Sequence, residues 1–270
     1  MIIFNADDFG ASSAVNQAVV KAHQAGTLHS ASLMVGEDFT QEAVDLAKKN
    51  PSLRIGLHLT AVDGKSVLPF SEIPLLVDQQ RNFPKNPATA WIKYLFNPEA
   101  ARQLKREITA QFEAFQKTGL KLSHVDGHHH LHIHPKIFNT AVQEGKKQGA
   151  QWIRVPKEDL RIWEKTQAQK QFLKNLHGKI YYWLTRGMAE KLKQENFFIF
   201  DSVFGILETF SMSKEYVLSL LAMNLNGNYE LYFHPGADWN KDLEILLDPD
   251  IVKMVTQKAN LSEVETKLTS

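Results

Sequence analysis

The sequence predicts an α/β fold on a parallel sheet of about seven strands, closed or nearly closed into a barrel. Three observations lead there. Short β-rich runs alternate with longer helical patterns, the order expected when each strand is followed by a helix or long loop on the way to the next. Seven such strand runs can be counted between Ile2 and Phe233. Ionisable residues gather just beyond the C-terminal ends of several of them, the end at which α/β barrels build their sites. An open doubly wound sheet is the competing arrangement, because periodicity alone does not separate the two.

The first strand is the apolar run Ile2–Asn5, followed by a helix over Ser13–Ala25 with Val15, Ala18, Val19 and Ala22 on one face and a stop at Gly26. Leu28–Val35 is the second strand, Thr40–Asn50 a helix closed by Pro51, and Leu53–Thr60 the third strand. Residues 61–97, rich in Pro and polar side chains, read as a long excursion. A helix over Pro98–Lys117 leads to a fourth strand at Lys121–Asp126. Pro135 suits the first turn of a helix reaching Lys147. Trp152–Val155 is a strand stopped by Pro156, and 157–198 reads as mostly helical. A weaker strand at Ser202–Ile206, a helix over Lys214–Asn224 and a clear last strand at Tyr229–Phe233 complete the series. The 270 residues read as one domain.

Composition removes several classes of function. With 31 Lys and Arg against 30 Asp and Glu, the net charge of +1 supplies no basic field for nucleic acid. The chain has no cysteine, so thiolate nucleophiles, Cys-ligated zinc and Fe–S clusters are excluded, and any metal must sit on His, Asp and Glu. No glycine-rich phosphate loop is present. The opening MIIFNADDFG has no basic n-region, and no run approaches the roughly 18 to 20 apolar residues of a membrane span, so a cytoplasmic location is expected. Oligomeric state has no signature in the sequence.

The strand ends carry the chemistry. They are Asn5-Ala6-Asp7-Asp8-Phe9-Gly10, Gly56-Leu57-His58-Leu59, the stretch from His124 to His134, and Phe233-His234-Pro235-Gly236. Six of the eleven histidines fall between His124 and His134. Asp7 and Asp8 are adjacent, so on an extended backbone they point to opposite sides. One could hold a cation while the other faces a bound water; a helix cap is the plainer role for Asp8. If the fourth strand persists to His128, then His124, Asp126 and His128 share a face and His129 points away. His130, His132 and His134 would then lie on the rim or behind it. A surface cluster that scavenges metal loosely is the alternative. His58 taken alone reads more readily as a satisfied core residue, and so does His234, although HisProGly at a strand end implies a fixed turn with the imidazole on the rim. A mixed Asp/His site with open positions suits a divalent cation used for hydrolysis of an amide or ester. His ligands favour zinc, and an exposed Asp/His/water site could equally hold magnesium.

Taken together, NADDFG at 5–10, GLHL at 56–59, HVDGHHHLH at 124–132, RVP at 154–156 and FHPG at 233–236 resemble the YdjC-like carbohydrate deacetylases, in order along the chain. ADDFGASSAVN, TLHSASLMV and GLHLTAVDGKSVLP are similar to the hopanoid-biosynthesis-associated subgroup, HpnK, whose relatives include chitooligosaccharide deacetylases. The resemblance implies a distorted (β/α) barrel like that of the polysaccharide deacetylases, with a divalent metal on Asp8, His58 and His128. It also implies Asp7 as general base, His234 as general acid, and Asp126, His130, His132 and Arg154 in substrate or supporting contacts. The implied reaction removes acetate from an N-acetylated amino sugar, free or lipid-linked. A metal-dependent phosphoesterase and a non-catalytic sugar- or metal-binding module are the rival readings; the first should show an Arg/Lys clamp or a second cation.

Residues 157–198 and the tail beyond Trp239 match no motif. Between Lys157 and Lys193 nine Lys and Arg stand against four Asp and Glu, interleaved with Trp163, Phe172, Tyr181, Tyr182 and Trp183. Such a helical segment either packs its aromatics on the barrel beneath a solvated basic face or lies on a membrane surface.

Overall fold

A computed structural model describes residues 1–166, 172–209, 211–223, 225–238 and 241–258. Along the chain run β1 (Ile2–Phe9), α1 (Ser13–Gln24), β2 (Ser30–Leu33), α2 (Thr40–Lys49), β3 (Arg54–Leu59), α3 (Pro87–Phe96) and α4 (Pro98–Lys117). They are followed by β4 (Leu122–Gly127), a 3-10 turn (His128–Ile133), α5 (Pro135–Lys147), β5 (Trp152–Ile153), α6 (Leu160–Thr166), α7 (Phe172–Thr185) and α8 (Met188–Gln194). β6 (Ser202–Phe204), α9 (Lys214–Ala222), β7 (Tyr229–Phe233), α10 (Asp242–Leu246) and α11 (Pro249–Lys258) complete the described chain.

All ladders are parallel, in the order β5-β4-β3-β2-β1-β7-β6. That is the cyclic order of a barrel opened between β5 and β6. The seam is crossed by a single parallel bridge, Trp152 to Phe198, and by the Val203 amide donating to the Lys157 carbonyl at 2.9 Å. The result is a curled, incompletely laddered barrel, as the sequence predicts.

The helix boundaries follow local chemistry. Ser12 caps α1, its hydroxyl accepting from the Val15 amide at 3.2 Å. Asn97 caps α4, with Pro98 in the first turn. The same Asn-Pro pair at Asn86 and Pro87 starts α3, a helix inside the stretch expected to be irregular. The remainder of that excursion is held by polar residues of α4. Glu107 accepts from the Val67 and Leu68 amides, Gln103 from Leu75, and Gln111 pairs with both backbone groups of Thr60. These side chains satisfy loop amides that would otherwise be buried without partners. α10 and α11 lie in the tail that matches no motif; Trp239, beyond which that tail runs, falls outside the described residues. So do Asn224, the predicted end of the helix from Lys214, and residues 167–171 of the basic segment.

Two kinds of core result. The large apolar cluster lies between the sheet's outer face and the helices, with Phe112 and Phe115 of α4 and Val19 of α1 fully buried there. The barrel interior is different. At its base Ile3, Trp152 and Phe200 form a small apolar plug, and above them the inward residues are polar: Asn5, Ser30, Ser32, His124 and Glu230, all 0% exposed. His124 stacks on Trp152, ring centroids 4.5 Å apart and ring planes nearly parallel. Gly56 of β3 makes this possible, because a Cβ there would stand 2.4 Å from the His124 ring. Replacing Gly56 by Ala is therefore expected to destabilise the protein by about 1–3 kcal/mol, read as a lowered urea midpoint. An unchanged midpoint would show that the ring can move aside.

Candidate active site

β1 extends to Phe9, four residues past its predicted end, so Asp7 and Asp8 belong to the strand. Strand alternation aims Asn5 and Asp7 into the barrel. By the same alternation Asp8 should point out, as the sequence leads one to expect. It does not, because the β1–β2 ladder is irregular between Ala6 and Phe9 and Asp8 takes φ 63°. A bulge of this kind re-aims one side chain, and Asp tolerates the left-handed region better than most residues. Both carboxylates consequently line one cavity of about 490 Å3 at the C-terminal end of the strands. Ser12, not Asp8, provides the helix cap.

The Asp8 carboxylate meets two histidines. Its Oδ1 lies 2.8 Å from His128 Nδ1 and 3.2 Å from His58 Nε2. One oxygen of Asp8 and one nitrogen of each ring all fall within 4.8 Å of one another. β4 ends at Gly127, so His128 is not in the strand; it opens the 3-10 turn, and His129 and His130 both have positive φ (51° and 55°). This sharp turn puts His128, His129 and His130 all on the cavity, so His129 does not point away as the alternation of an unbroken strand would have it. Behind His58, Asp126 Oδ1 stands 2.8 Å from Nδ1. An ionised carboxylate only accepts, so Nδ1 carries a proton and Nε2 is the nitrogen presented to the cavity.

Burial works against the Asp8 charge, yet His128 and His58 hold its carboxyl well below the usual range. Burial likewise opposes a charged His58, but Asp126, helped by Asp8 and Asp7, raises it to about 10. Positive charge is thus strongly favoured where the three side chains converge. The donor set, one carboxylate and two imidazoles with the remaining side open to the cavity, fits a single divalent cation.

Asp7 is held differently. Arg154, fully buried just past β5, donates Nη1 to Asp7 Oδ2 at 2.7 Å and Nη2 to Asp7 Oδ1 at 2.8 Å. The same guanidinium reaches Asp126 Oδ2 at 2.8 Å through Nη2 and Glu230 Oε1 at 2.7 Å through Nε, and lies over the Tyr232 ring at 4.7 Å. Asn5 Nδ2 adds a bond to Asp7 Oδ1 at 2.8 Å. Burial pushes the Glu230 carboxyl up to about 7 against the pull of Arg154. Glu230 and Tyr232 escape the sequence reading, which takes YELYF only as a clear strand; the signal is the alternation Glu230, Tyr232, His234 along β7 and just past its end.

The histidine cluster divides by task. His130 lines the cavity, its Nε2 3.0 Å from the Tyr232 hydroxyl. His132 does not line the cavity: it is buried, with Nε2 2.9 Å from the Arg154 carbonyl, and so steadies the backbone that carries the guanidinium. His124 lies deeper, bridging Ser123 and Ser32. Burial lowers both His124 and His132 to about 4, so they are neutral supports. His134 caps α5 and packs edge-on against Trp91, and His129 is exposed near Asp63. His234 follows β7, the strand paired with β1, and lines the cavity, its backbone amide donating to Asp242 of α10 at 2.7 Å.

A parallel α/β barrel with a carboxylate–imidazole cluster at the C-terminal rim of its strands is therefore the class defined by fold and site. Residues 1–257 match the family described as YdjC-like protein, and the chain belongs to that family. It is 43% identical over 137 residues to a carbohydrate deacetylase of Vibrio parahaemolyticus serotype O3:K6, covering 51% of this chain and 52% of the relative. It is 43% identical over 146 residues to one of Vibrio cholerae serotype O1 (strain M66-2), covering 54% and 55%. The chain spans about half the length of the curated relatives it matches. A crystal structure of a candidate cellobiose-phosphate cleavage protein from Enterococcus faecalis V583 superposes with a TM-score of 0.70 over 97% of this chain and 98% of that one. At 22% identity that likeness concerns the fold alone.

The His58 environment sets a pH dependence for the metal-free protein. Its pKa is raised from 6.5 to about 10, so the stability it supplies is fully present below pH 6.5 and is lost as pH rises through about 10. Urea unfolding of the chelated protein should show His58→Gln losing that contribution: the stability gap between wild type and variant is wide at pH 6 and narrows towards pH 10. A gap independent of pH would contradict the His58–Asp126 ion pair.

Proposed function

We propose that this protein is a metal-dependent hydrolase that removes the acetyl group from an N-acetylated amino sugar. The observation that carries the reading is the unequal treatment of two adjacent carboxylates on one cavity wall: Asp8 is gathered with His58 and His128, while Asp7 is clamped by Arg154. The name carried by the Vibrio relatives, carbohydrate deacetylase, supports the substrate class.

Asp8, His58 and His128 would hold the cation. When bound, a divalent cation supplies Lewis-acid polarisation of the amide carbonyl and acidifies water. Asp7, kept in place by two hydrogen bonds from Arg154, takes the proton of the attacking water. His234, on the same cavity just past the end of the neighbouring strand β7, returns a proton to the departing amine. Asp126 fixes the tautomer of His58, and the His130–Tyr232 pair offers polar edges to sugar hydroxyls. A volume of about 490 Å3 suits a sugar-sized ligand. The histidine content of the triad favours zinc over magnesium. The GLHLTAVDGKSVLP run supports an N-acetylglucosaminyl group, hopanoid-linked, with a chitooligosaccharide as the other substrate of this class. A phosphoesterase would need cationic groups facing the cavity. Among the described residues its lining contains no Lys or Arg, and the donors of Arg154 are turned to carboxylates.

Acetate release from a panel of N-acetylated sugars and glycolipids, with and without chelator, tests this directly. Asp7→Asn should retain bound metal and lose about 100-fold or more in kcat. His58→Ala should lose the metal and, with it, turnover. Full activity in Asp7→Asn, or acetate release indifferent to chelator, would sink the assignment.

A further inference from the structure

The apolar surface of this protein is concentrated on two helices that both reach the cavity. Of the eleven large hydrophobic side chains that stand exposed among the described residues, nine belong to α3 and α7. Pro87, at the start of α3, and Tyr181 of α7 both line the cavity wall.

The amphipathic pattern of α7 is inverted. Its protein-facing side is Lys174, Gly178, Tyr181 and Thr185, at helical spacing. Lys174 is paired with Glu208 at 2.8 Å, and a Cβ on Gly178 would meet Leu160 at 2.6 Å, so the helix backbone is docked closely. The opposite stripe is Leu173, Leu176, Ile180 and Trp183, with Leu173 77% and Trp183 62% exposed. A helix lying on a globular core ordinarily turns such a stripe inward. α3 repeats the arrangement on a smaller scale: Ala90 and Tyr94 are buried, while Ile92, Leu95 and Phe96 are exposed, Phe96 at 75%. Packing of the aromatics on the barrel, one of the two expectations for this segment, holds for Trp163 and half-buried Tyr181 but not for Tyr182 or Trp183.

Charge selects the occupant. Neither helix contains an acidic residue; their exposed charges are Lys93 and Lys179, joined by Arg186, whose guanidinium lies 5.7 Å from the Trp183 ring centroid. Two copies of this face would set cation against cation. An anionic lipid surface accepts both features, since apolar and aromatic side chains enter the headgroup boundary while Lys and Arg meet the lipid phosphates. Among the described residues no helix is long and apolar enough to cross a membrane. We propose that the exposed faces of α3 and α7 dock this protein peripherally on an anionic bilayer, beside the mouth of its cavity.

Sedimentation of the full chain with vesicles of equimolar phosphatidylglycerol and phosphatidylcholine tests this without requiring turnover, so its outcome is independent of the proposed reaction. The wild type should pellet with these vesicles, remain in solution with phosphatidylcholine alone, and detach as salt is raised. The double variant L173E/W183E should bind at least about tenfold more weakly while melting at the wild-type temperature, both positions being exposed. The proposal is overturned if the wild type ignores anionic vesicles, if the variant binds as well as the wild type, or if the face proves to be a dimer contact that the variant breaks, with no vesicle binding.

Discussion

A guanidinium with no access to solvent must be neutralised where it stands, and Arg154 is met by carboxylates from three other parts of the barrel. Asp7 comes from β1, Asp126 from β4 and Glu230 from β7, so one side chain ties four places around the interior together. Stripping one partner from such a buried cluster typically costs about 3–5 kcal/mol. The count of charges matters as much as the contacts. Three carboxyl groups surround one cation, and Asp8 adds a fourth acid nearby. Part of the excess is relieved at Glu230, which burial pushes up to about 7. The remainder is felt at His58, where positive charge is favoured strongly enough to raise the imidazole to about 10. Positive charge is thus favoured where Asp8, His58 and His128 meet, the place at which we propose a cation.

Adjacent residues acquire separate roles through one irregularity of the backbone. Had β1 remained regular, Asp8 would face the helices and Asp7 alone would reach the cavity. The bulge places Asp8 beside two imidazoles, whereas Asp7 is immobilised by the guanidinium. Held by two guanidinium N–H groups and by Asn5, Asp7 keeps a fixed place, as the proton-accepting role proposed for it requires. The polar interior and the apolar outer core are accordingly two distinct structures on the two faces of one sheet, and Gly56 marks how tightly the inner one is packed.

Much of this was legible in the sequence, for reasons that can be named. Strands and their order follow from apolar runs between helical patterns, and the strand ends pointed to the correct rim. α3 escaped because its Asn86-Pro87 start lies in a stretch dominated by turn-forming residues, although the same pair opens α4. The Asp7–Asp8 geometry could not be read, since a bulge depends on the pairing of β1 with β2 and not on β1 alone. Glu230 was hidden because a single acid in YELYF looks like a solvent-facing position until the barrel closes around it. The histidine cluster was conspicuous but misleading in number. Of six histidines, His128 joins the Asp8 group and His129 and His130 line the cavity, while His124 and His132 serve as neutral internal props.

The proposed cation position at Asp8, His58 and His128 is tested most directly by anomalous diffraction from crystals grown with zinc, recorded on both sides of the zinc edge. The account predicts a single strong peak within bonding distance of one Asp8 oxygen, His58 Nε2 and His128 Nδ1. A peak at the neighbouring Asp63, His128 and His129 group instead, or none near Asp8, would contradict it.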